Sequence, residues 1–180
     1  MTTLTALVFV ALLAGACNLT PSTTVPSNMV PSTVRPCSTT QLSVTLGRSN
    51  GTAGSVYVPL QFRNRGSSAC TLHGYPRVSY VNGPGGNEVG RAAQRMGPVG
   101  GQSAEAIVTL APGSVAQATL RVIDVSNLPV SSCSTIPVGG LRVDPPGEAT
   151  GVFVPDATNG CTQSGPLQLG IGFIVQGAMG

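Results

Sequence analysis

From residue 41 onward, apolar side chains recur at every second position, the pattern of strands that bury one face. Leu42, Val44 and Leu46 alternate with polar residues in the first such run. The longest run extends from Leu167 to Val175 and places its large apolar residues on one face. This period of two predicts an all-β domain. No window after Cys37 has the pattern of a long amphipathic helix.

Turn sequences such as Asn-Gly and Pro-Gly separate the alternating runs, as expected between antiparallel strands. We therefore predict about seven to nine short strands in an immunoglobulin-like antiparallel β-sandwich. Pro59 lacks a backbone donor and predicts an edge or a bulge in its strand. The predicted strands cover residues 41–46, 55–62, 77–81, 106–110, 116–123, 141–143, 151–154 and 167–175.

Residues 1–16 have the character of an export signal. Leu4 to Ala16 are apolar or small apart from Thr5. As a helix this stretch would span about 20 Å, short of the roughly 30 Å hydrocarbon core of a bilayer. A signal peptide is therefore favoured over a membrane anchor, although Met1–Thr3 carries no basic side chain.

The end of this leader, Ala14-Gly15-Ala16-Cys17, has two interpretations. Ala-x-Ala is a site for ordinary signal peptidase, which would release a soluble secreted protein. The same residues followed by Cys17 resemble a bacterial lipobox, in which the cysteine is lipidated and becomes the new N-terminus. The cysteine count favours lipidation of Cys17, because five cysteines in an exported chain would otherwise leave one thiol unpaired.

Residues 17–36 are predicted to be a disordered stalk that carries the lipidated cysteine. Four prolines recur at a five-residue spacing between Asn18 and Pro36, among seven serines and threonines. Such a segment cannot bury a core and favours polyproline II, with a reach of roughly 60 Å. The remaining residues, 37–180, form the predicted sandwich domain.

Cys37, Cys70, Cys133 and Cys161 can pair in three ways. If the strands between Cys37 and Cys70 form an antiparallel hairpin, these two cysteines come together at its open end. The same argument brings Cys133 beside Cys161 across a second hairpin. We therefore predict the disulfides Cys37–Cys70 and Cys133–Cys161.

Composition excludes several classes of protein. Hydrophobic residues make up 41% of the chain and the net charge is only +3, which argues against a disordered chain. Charged residues make up only 8%, with 24 glycines and 15 prolines, which argues against a helix bundle. The nine basic residues form no dense patch with aromatics, so we expect no nucleic-acid partner.

Candidate chemistry is sparse. His73 is the only histidine, so a metal site lacks partners at ligand spacing. We expect no catalytic residue, no metal and no cofactor. The segment His73-Gly74-Tyr75-Pro76 is a candidate contact loop, although its glycine, tyrosine and proline also suit a purely structural turn. The glycine-rich segments 83–86 and 97–101 are predicted to be further surface loops.

The pattern Cys37…Asn64-x-Gly66-x3-Cys70-x-Leu72-x-Gly74-Tyr75-Pro76 resembles a family of exported domains, number 4232 among the domains of unknown function. Members are common in lipoproteins of actinobacteria. The resemblance extends through Cys133 and Cys161. It implies a secreted or lipid-anchored immunoglobulin-like sandwich with two disulfides, and it implies no activity.

These features predict a non-enzymatic cell-envelope lipoprotein, anchored at the outer face of the cytoplasmic membrane through Cys17. It would act as a binding or structural module toward an envelope protein, a glycan or a lipid. One alternative is a carrier of a small apolar ligand held between the sheets. Another is an exported hydrolase with a cryptic site. The sequence does not name the ligand.

Overall fold

Extended strands make up nearly all the regular structure of the computed structural model, which describes residues 34–52, 54–98, 102–162 and 165–177. The helical segments in these ranges are two short 3-10 turns, Thr39–Gln41 and Val125–Asn127. Neither has the length and apolar character needed to cross a membrane. The predicted signal peptide, Cys17 and most of the predicted stalk lie outside the described residues.

The strands that the structure describes follow the turn signals of the sequence closely. They are β1 (Leu42–Leu46), β2 (Asn50–Thr52), β3 (Ser55–Asn64), β4 (Cys70–Leu72), β5 (Arg77–Val81), β6 (Glu88–Val89), β7 (Gln94–Arg95), β8 (Val108–Leu110), β9 (Val115–Ile123), β10 (Thr135–Asp144), β11 (Val152–Cys161), β12 (Leu169–Ile171) and β13 (Val175–Gln176).

The larger sheet is built on the pairing of β3 with β9, which are antiparallel from Ser55 opposite Ile123 to Arg63 opposite Val115. Strands β1 and β2 pair with the other edge of β3. Strands β12 and β13 pair with the other edge of β9, and β7 runs parallel to β12. Every other strand of this sheet therefore attaches, directly or through β12, to the β3–β9 pair.

The second sheet has the order β11-β10-β5-β6, and β4 pairs with β8 as a separate ribbon. Inward-facing side chains of the two large sheets form one apolar core. Leu60, Phe62 and Leu120 enter it from the first sheet, and Leu141 and Val143 enter it from the second. The predicted antiparallel β-sandwich is confirmed.

Both predicted disulfides are present. Cys37 and Cys70 have Cα atoms 4.8 Å apart, and Cys133 and Cys161 have Cα atoms 5.1 Å apart. Sequence separations of 33 and 28 residues correspond to roughly 3–4 kcal/mol of stabilisation each in the chain-entropy model. Beside the first disulfide, Pro36 forms a parallel bridge with Thr71, and the N–H of Cys37 donates to the Thr71 carbonyl at 2.9 Å.

Pro59 lies within a central strand rather than an edge strand. Its carbonyl accepts a hydrogen bond from the Gly47 N–H at 2.8 Å, so its nitrogen faces the same side. On that side β1 has ended at Leu46 and β2 does not begin until Asn50. The missing donor of Pro59 therefore falls at a break between two neighbouring strands, where no ladder bond is required.

The run from Leu167 to Val175 is not one regular strand, and this part of the prediction was wrong. Ile171 pairs with Leu120, whereas Val175 pairs with Gln117. Residues 172–174 therefore face residues 118–119, which is a bulge of one extra residue. The bulge reverses the inward and outward sides, so Ile174 enters the core at 1% exposure.

This bulge predicts different costs for two adjacent substitutions. Ile174→Ala should lower the free energy of unfolding by about 2–4 kcal/mol, because it leaves a cavity in the core. Val175→Ala, the matched control, should cost under about 1 kcal/mol because Val175 is only half-buried. Urea denaturation of both variants measures the difference. A larger cost at Val175 would mean that the strand runs without the bulge.

Candidate functional site

The predicted contact loop, residues 73–76, connects β4 to β5 and is held by the rest of the domain. The N–H of Gly74 donates to the Ala104 carbonyl at 2.9 Å, and its own carbonyl accepts from the Ile174 N–H at 2.8 Å. Gly74 has a φ of +83°, a conformation that favours glycine. Pro76 is buried. The loop is therefore fixed in place before any partner binds.

Tyr75 is the anchor of this loop. Its ring packs edge-to-face on Phe173 with centroids 5.8 Å apart, and its hydroxyl donates to the Met96 carbonyl at 3.1 Å. The Arg95 guanidinium lies 5.2 Å from the ring centroid, within cation–π range. These contacts favour the structural interpretation of Tyr75. His73 is exposed and is the member of the loop that is open to a partner.

The glycine-rich segment 83–86 forms a turn between β5 and β6, closed by the Gly86 N–H donating to the Gly83 carbonyl at 3.0 Å. It borders a surface hollow of about 330 Å³ whose other wall includes Arg142 and Phe153. Of the second glycine-rich segment, residues 99–101 lie outside the described residues.

An ion-pair cluster ties β5, β6 and β10 together. Arg77 makes two contacts with the Glu88 carboxylate, at 2.5 and 2.6 Å, and one with Asp144 at 3.3 Å. Arg142 pairs with Asp144 at 2.9 Å. The hydrogen bond from Arg77 lowers the pKa of Glu88, and the same bond raises the pKa of Arg77. A Cβ at Gly151 would come within 2.2 Å of an Asp144 oxygen, so a larger residue there would displace the Asp144 side chain.

Side chains that could bind a metal are scattered over the part of the chain that the structure describes. No group of three or more His, Cys, Asp or Glu side chains converges there in a way that would hold a metal ion. His73 takes part in none of the hydrogen bonds that join the ion-pair cluster described above.

A cleft lies between the two sheets, where the carrier alternative places its ligand, although the sequence named none of its lining residues as ligand contacts. We call it the inter-sheet cleft, and its volume is about 370 Å³. One wall is apolar and comes from the first sheet, whereas Tyr80 of β5 and residues 156–158 of β11 form the other. The apolar wall includes Leu46, Val56, Val58 and Val122. A neighbouring cavity of about 240 Å³ shares three lining residues with it: Val56, Val122 and Thr158.

Tyr80 is the unusual side chain of this cleft. It is 2% exposed, and its hydroxyl has no hydrogen-bond partner in the described part of the chain. An unsatisfied buried polar group costs roughly 1–3 kcal/mol. Burial raises the pKa of Tyr80, and the nearby Asp156 raises it further. Burial also raises the pKa of the Asp156 carboxyl. The buried Tyr80 hydroxyl thus costs stability, whereas Asp156 is only half-buried.

A β-bulge places Asp156 in this position. Val138 pairs with Thr158, but Gly140 pairs with Pro155, so Asp156 and Ala157 both lie opposite one residue of β10. Bulges re-aim side chains, and Pro155 was an available signal for this one, because a proline within a strand marks an edge or a bulge. Tyr80 had an available signal, because it shares the inward face of its predicted strand with Val78, and an inward tyrosine usually needs a polar partner.

The model of the family described as domain of unknown function (DUF4232) matches residues 37–172. The chain belongs to this family. No curated protein and no solved structure matches the sequence. The matched range of the DUF4232 domain includes both disulfides, the contact loop and the cleft residues Tyr80 and Asp156.

The ion-pair cluster of the DUF4232 domain predicts a pH-dependent contribution to stability. Since the folded-state pKa of Glu88 is lowered, its ionised form stabilises the fold above the unfolded-state pKa, and this is lost as the pH falls through the folded-state pKa. Glu88→Gln should cost roughly 0.5–1 kcal/mol at neutral pH, because the pair is partly exposed. The difference from wild type should shrink as the pH falls through the folded-state pKa of Glu88.

Urea denaturation of the wild type and of Glu88→Gln, at neutral and at acid pH, measures the difference in their free energies of unfolding. Glu105→Gln is the matched control, because Glu105 is exposed and none of the described salt bridges includes it. It should leave stability unchanged at either pH. An equal loss for Glu88→Gln at neutral and acid pH would contradict an ionic origin.

Proposed function

We propose that the protein is a non-enzymatic binding module of the cell envelope, held at the outer face of the cytoplasmic membrane by a lipid on Cys17. One observation carries the proposal. The two disulfides use four of the five cysteines, and the fifth is Cys17 in the lipobox-like sequence. Structural disulfides persist in oxidising compartments, which supports export. A lipid on Cys17 accounts for the odd cysteine without a spare thiol.

The predicted stalk would set the distance between the lipid anchor and the folded domain. Residues 17–36 would separate the DUF4232 domain from the bilayer by up to roughly 60 Å if they are extended. Candidate partners at that distance from the bilayer are envelope proteins, glycans and lipids. The exposed His73 is the candidate contact residue for such a partner. It lies on a loop that the rest of the domain holds in place, and a rigid loop loses little entropy on binding.

The use of the acidic side chains supports binding rather than catalysis. Glu88 and Asp144 pair with arginines. Asp124 accepts the Ser126 N–H at 2.9 Å and caps a 3-10 turn, and Glu148 accepts the Thr39 hydroxyl at 3.0 Å. Four of the six acidic residues of the chain are thus engaged in holding the fold together.

A second function is favoured by the inter-sheet cleft. Its size lies in the range of small-ligand pockets, and it combines apolar side chains with a buried tyrosine and a half-buried aspartate. Carriage of a small, mostly apolar ligand is compatible with a lipid-anchored module and does not require catalysis.

Cys17→Ala tests the anchor. In the host cell, the wild-type protein should fractionate with membranes, and its N-terminal peptide should carry a diacylglyceryl adduct on Cys17. The variant should lose the adduct and leave the membrane fraction, because a lipid chain supplies the attachment. Ser27→Ala, in the middle of the stalk, is the control and should fractionate as wild type.

Peptide mapping separates the alternatives. Wild-type protein that begins at an unmodified Cys17 would overturn the lipid anchor and favour a secreted form. Recovery of peptides from residues 1–16 with the membrane fraction would instead identify a retained leader.

A further inference from the structure

A second cavity lies on the solvent face of the larger sheet. Tyr57 and Thr119 point to that face, because they alternate along β3 and β9 with buried residues such as Leu120. We call this cavity the outer groove, and its volume of about 400 Å³ lies in the range of small-ligand pockets. Besides two glycines, its lining has four apolar or aromatic side chains and two polar ones: Tyr57, Met96, Phe173 and Val175, and then Gln102 and Thr119.

Arg121 stands at one end of the outer groove. It is the register partner of Tyr57, and it lies two residues from Thr119 on the same face of β9. The position that a Cβ would take at Gly170 lies 3.0 Å from Met96 Sδ and 3.3 Å from Arg121 Nε, so these two side chains lie side by side. Arg121 is therefore next to three lining residues of the groove.

Arg121 has no acidic partner. All six acidic residues of the chain lie among the described residues, and none of them forms a salt bridge with it. Its Nε is buried and unpaired, whereas its terminal nitrogens form no described hydrogen bond and are open to solvent. A guanidinium is a permanent cation whose planar fork of donors matches a carboxylate or a phosphate. The half-buried Arg121 can therefore bind an anion through its accessible nitrogens.

The polar lining agrees with an anionic group. Tyr57, Gln102 and Thr119 can each donate a hydrogen bond to an anionic oxygen. No acidic side chain lines the groove, so an ammonium group would meet the charge of Arg121 without compensation. A neutral hydroxyl could bond to the same polar side chains, but it would leave Arg121 without a counter-ion.

The apolar lining sets the length of the molecule. Val175 lines the groove and pairs with Gln117, four residues along β9 from Arg121. At about 3.3 Å per residue, these four residues span roughly 13 Å. Met96 and Phe173 supply further apolar surface to the groove. An alkyl or alicyclic body can therefore lie along the groove with its head group at Arg121.

We infer that the outer groove binds a mostly apolar molecule that ends in an anionic oxygen group, a carboxylate or a phosphate, which pairs with the Arg121 guanidinium. The inference rests on the binding-module function proposed above and names a ligand class for it. It is independent of the carrier function proposed for the inter-sheet cleft, because no residue lines both cavities.

Four probes with one decyl chain test the ligand class. They are decanoate, decyl phosphate, decanol and decylamine. The full-length chain carrying Cys17→Ala is used, so that no attached acyl chain competes, and binding is measured by titration calorimetry. We expect both anions to bind about tenfold more tightly than decanol, and decylamine to bind weakest. The tighter of the two anions indicates whether a fatty acid or a phosphate head group is the ligand.

Arg121→Gln tests the ion pair. It should weaken decanoate binding about tenfold and leave decanol binding unchanged, because only the charge contact is lost. The variant should unfold at the same or a higher urea concentration, since a buried unpaired nitrogen has been removed. Arg65→Gln is the matched control, because it removes the same charge from an exposed arginine that does not line the groove. It should leave the binding of both probes unchanged.

Thr119→Phe tests the location. The larger side chain fills the groove and should weaken all four probes, while an exposed strand position accepts phenylalanine without unfolding. Thr45→Phe is the matched control. Thr45 is exposed on the same face of the same sheet, opposite Gln61, and does not line the groove. It should leave binding unchanged.

The outcomes separate the possible failures. Equal affinity for the four probes, or tightest binding of decylamine, would overturn the anionic class. Binding that neither Thr119→Phe nor Arg121→Gln weakens would occur elsewhere on the protein, so it would overturn the groove and leave the carrier function standing. If no probe binds, the groove and the carrier function are both overturned, whereas membrane fractionation of Cys17→Ala still tests the anchored module by itself.

Discussion

The antiparallel pairing of β3 with β9 is the interaction on which the rest of the structure depends. It joins segments more than fifty residues apart in sequence, from Ser55–Ile123 to Arg63–Val115. The remaining strands of the larger sheet attach to this pair directly or, for β7, through β12. Its inner face supplies Leu60, Phe62 and Leu120 to the core. Long-range pairing of this kind is entropically costly, and neither disulfide closes the loop between these two strands.

Much of this arrangement could be predicted from local patterns. The alternating pattern predicted the ends of β3 and β9 almost as they are observed. Each strand buries one face, and a one-residue slip in register would turn its buried side chains outward. The disulfide pairing followed from hairpin geometry alone. The contact loop was predicted from its residues, but its packing on Phe173 was not. The bulge at residues 172–174 turns Phe173 away from the core cluster and toward Tyr75.

The cleft could not be predicted for the same reason. Asp156 reaches it through a bulge in β11, and although Pro155 is consistent with a bulge, the register is decided by the competition between two strands. In the sequence, Asp156 is one acidic residue among several. Only the pairing of Val138 with Thr158, followed by Gly140 with Pro155, distinguishes Asp156 from the acids that hold the fold together. Polar groups kept at a cost inside a fold are often where function lies.

The bridge between Pro36 and Thr71, beside the Cys37–Cys70 disulfide, has a mechanical consequence. Tension applied through residue 36 would reach a covalent bond one residue later, and that bond leads to β4 rather than to β1. Strand β1 and its partner β3 lie inside the disulfide-closed loop, so they are shielded from the load and cannot be unzipped from the N-terminal side. The load passes instead to β4 and its pairing with β8, which is the first complete ladder that traction on residue 36 would reach.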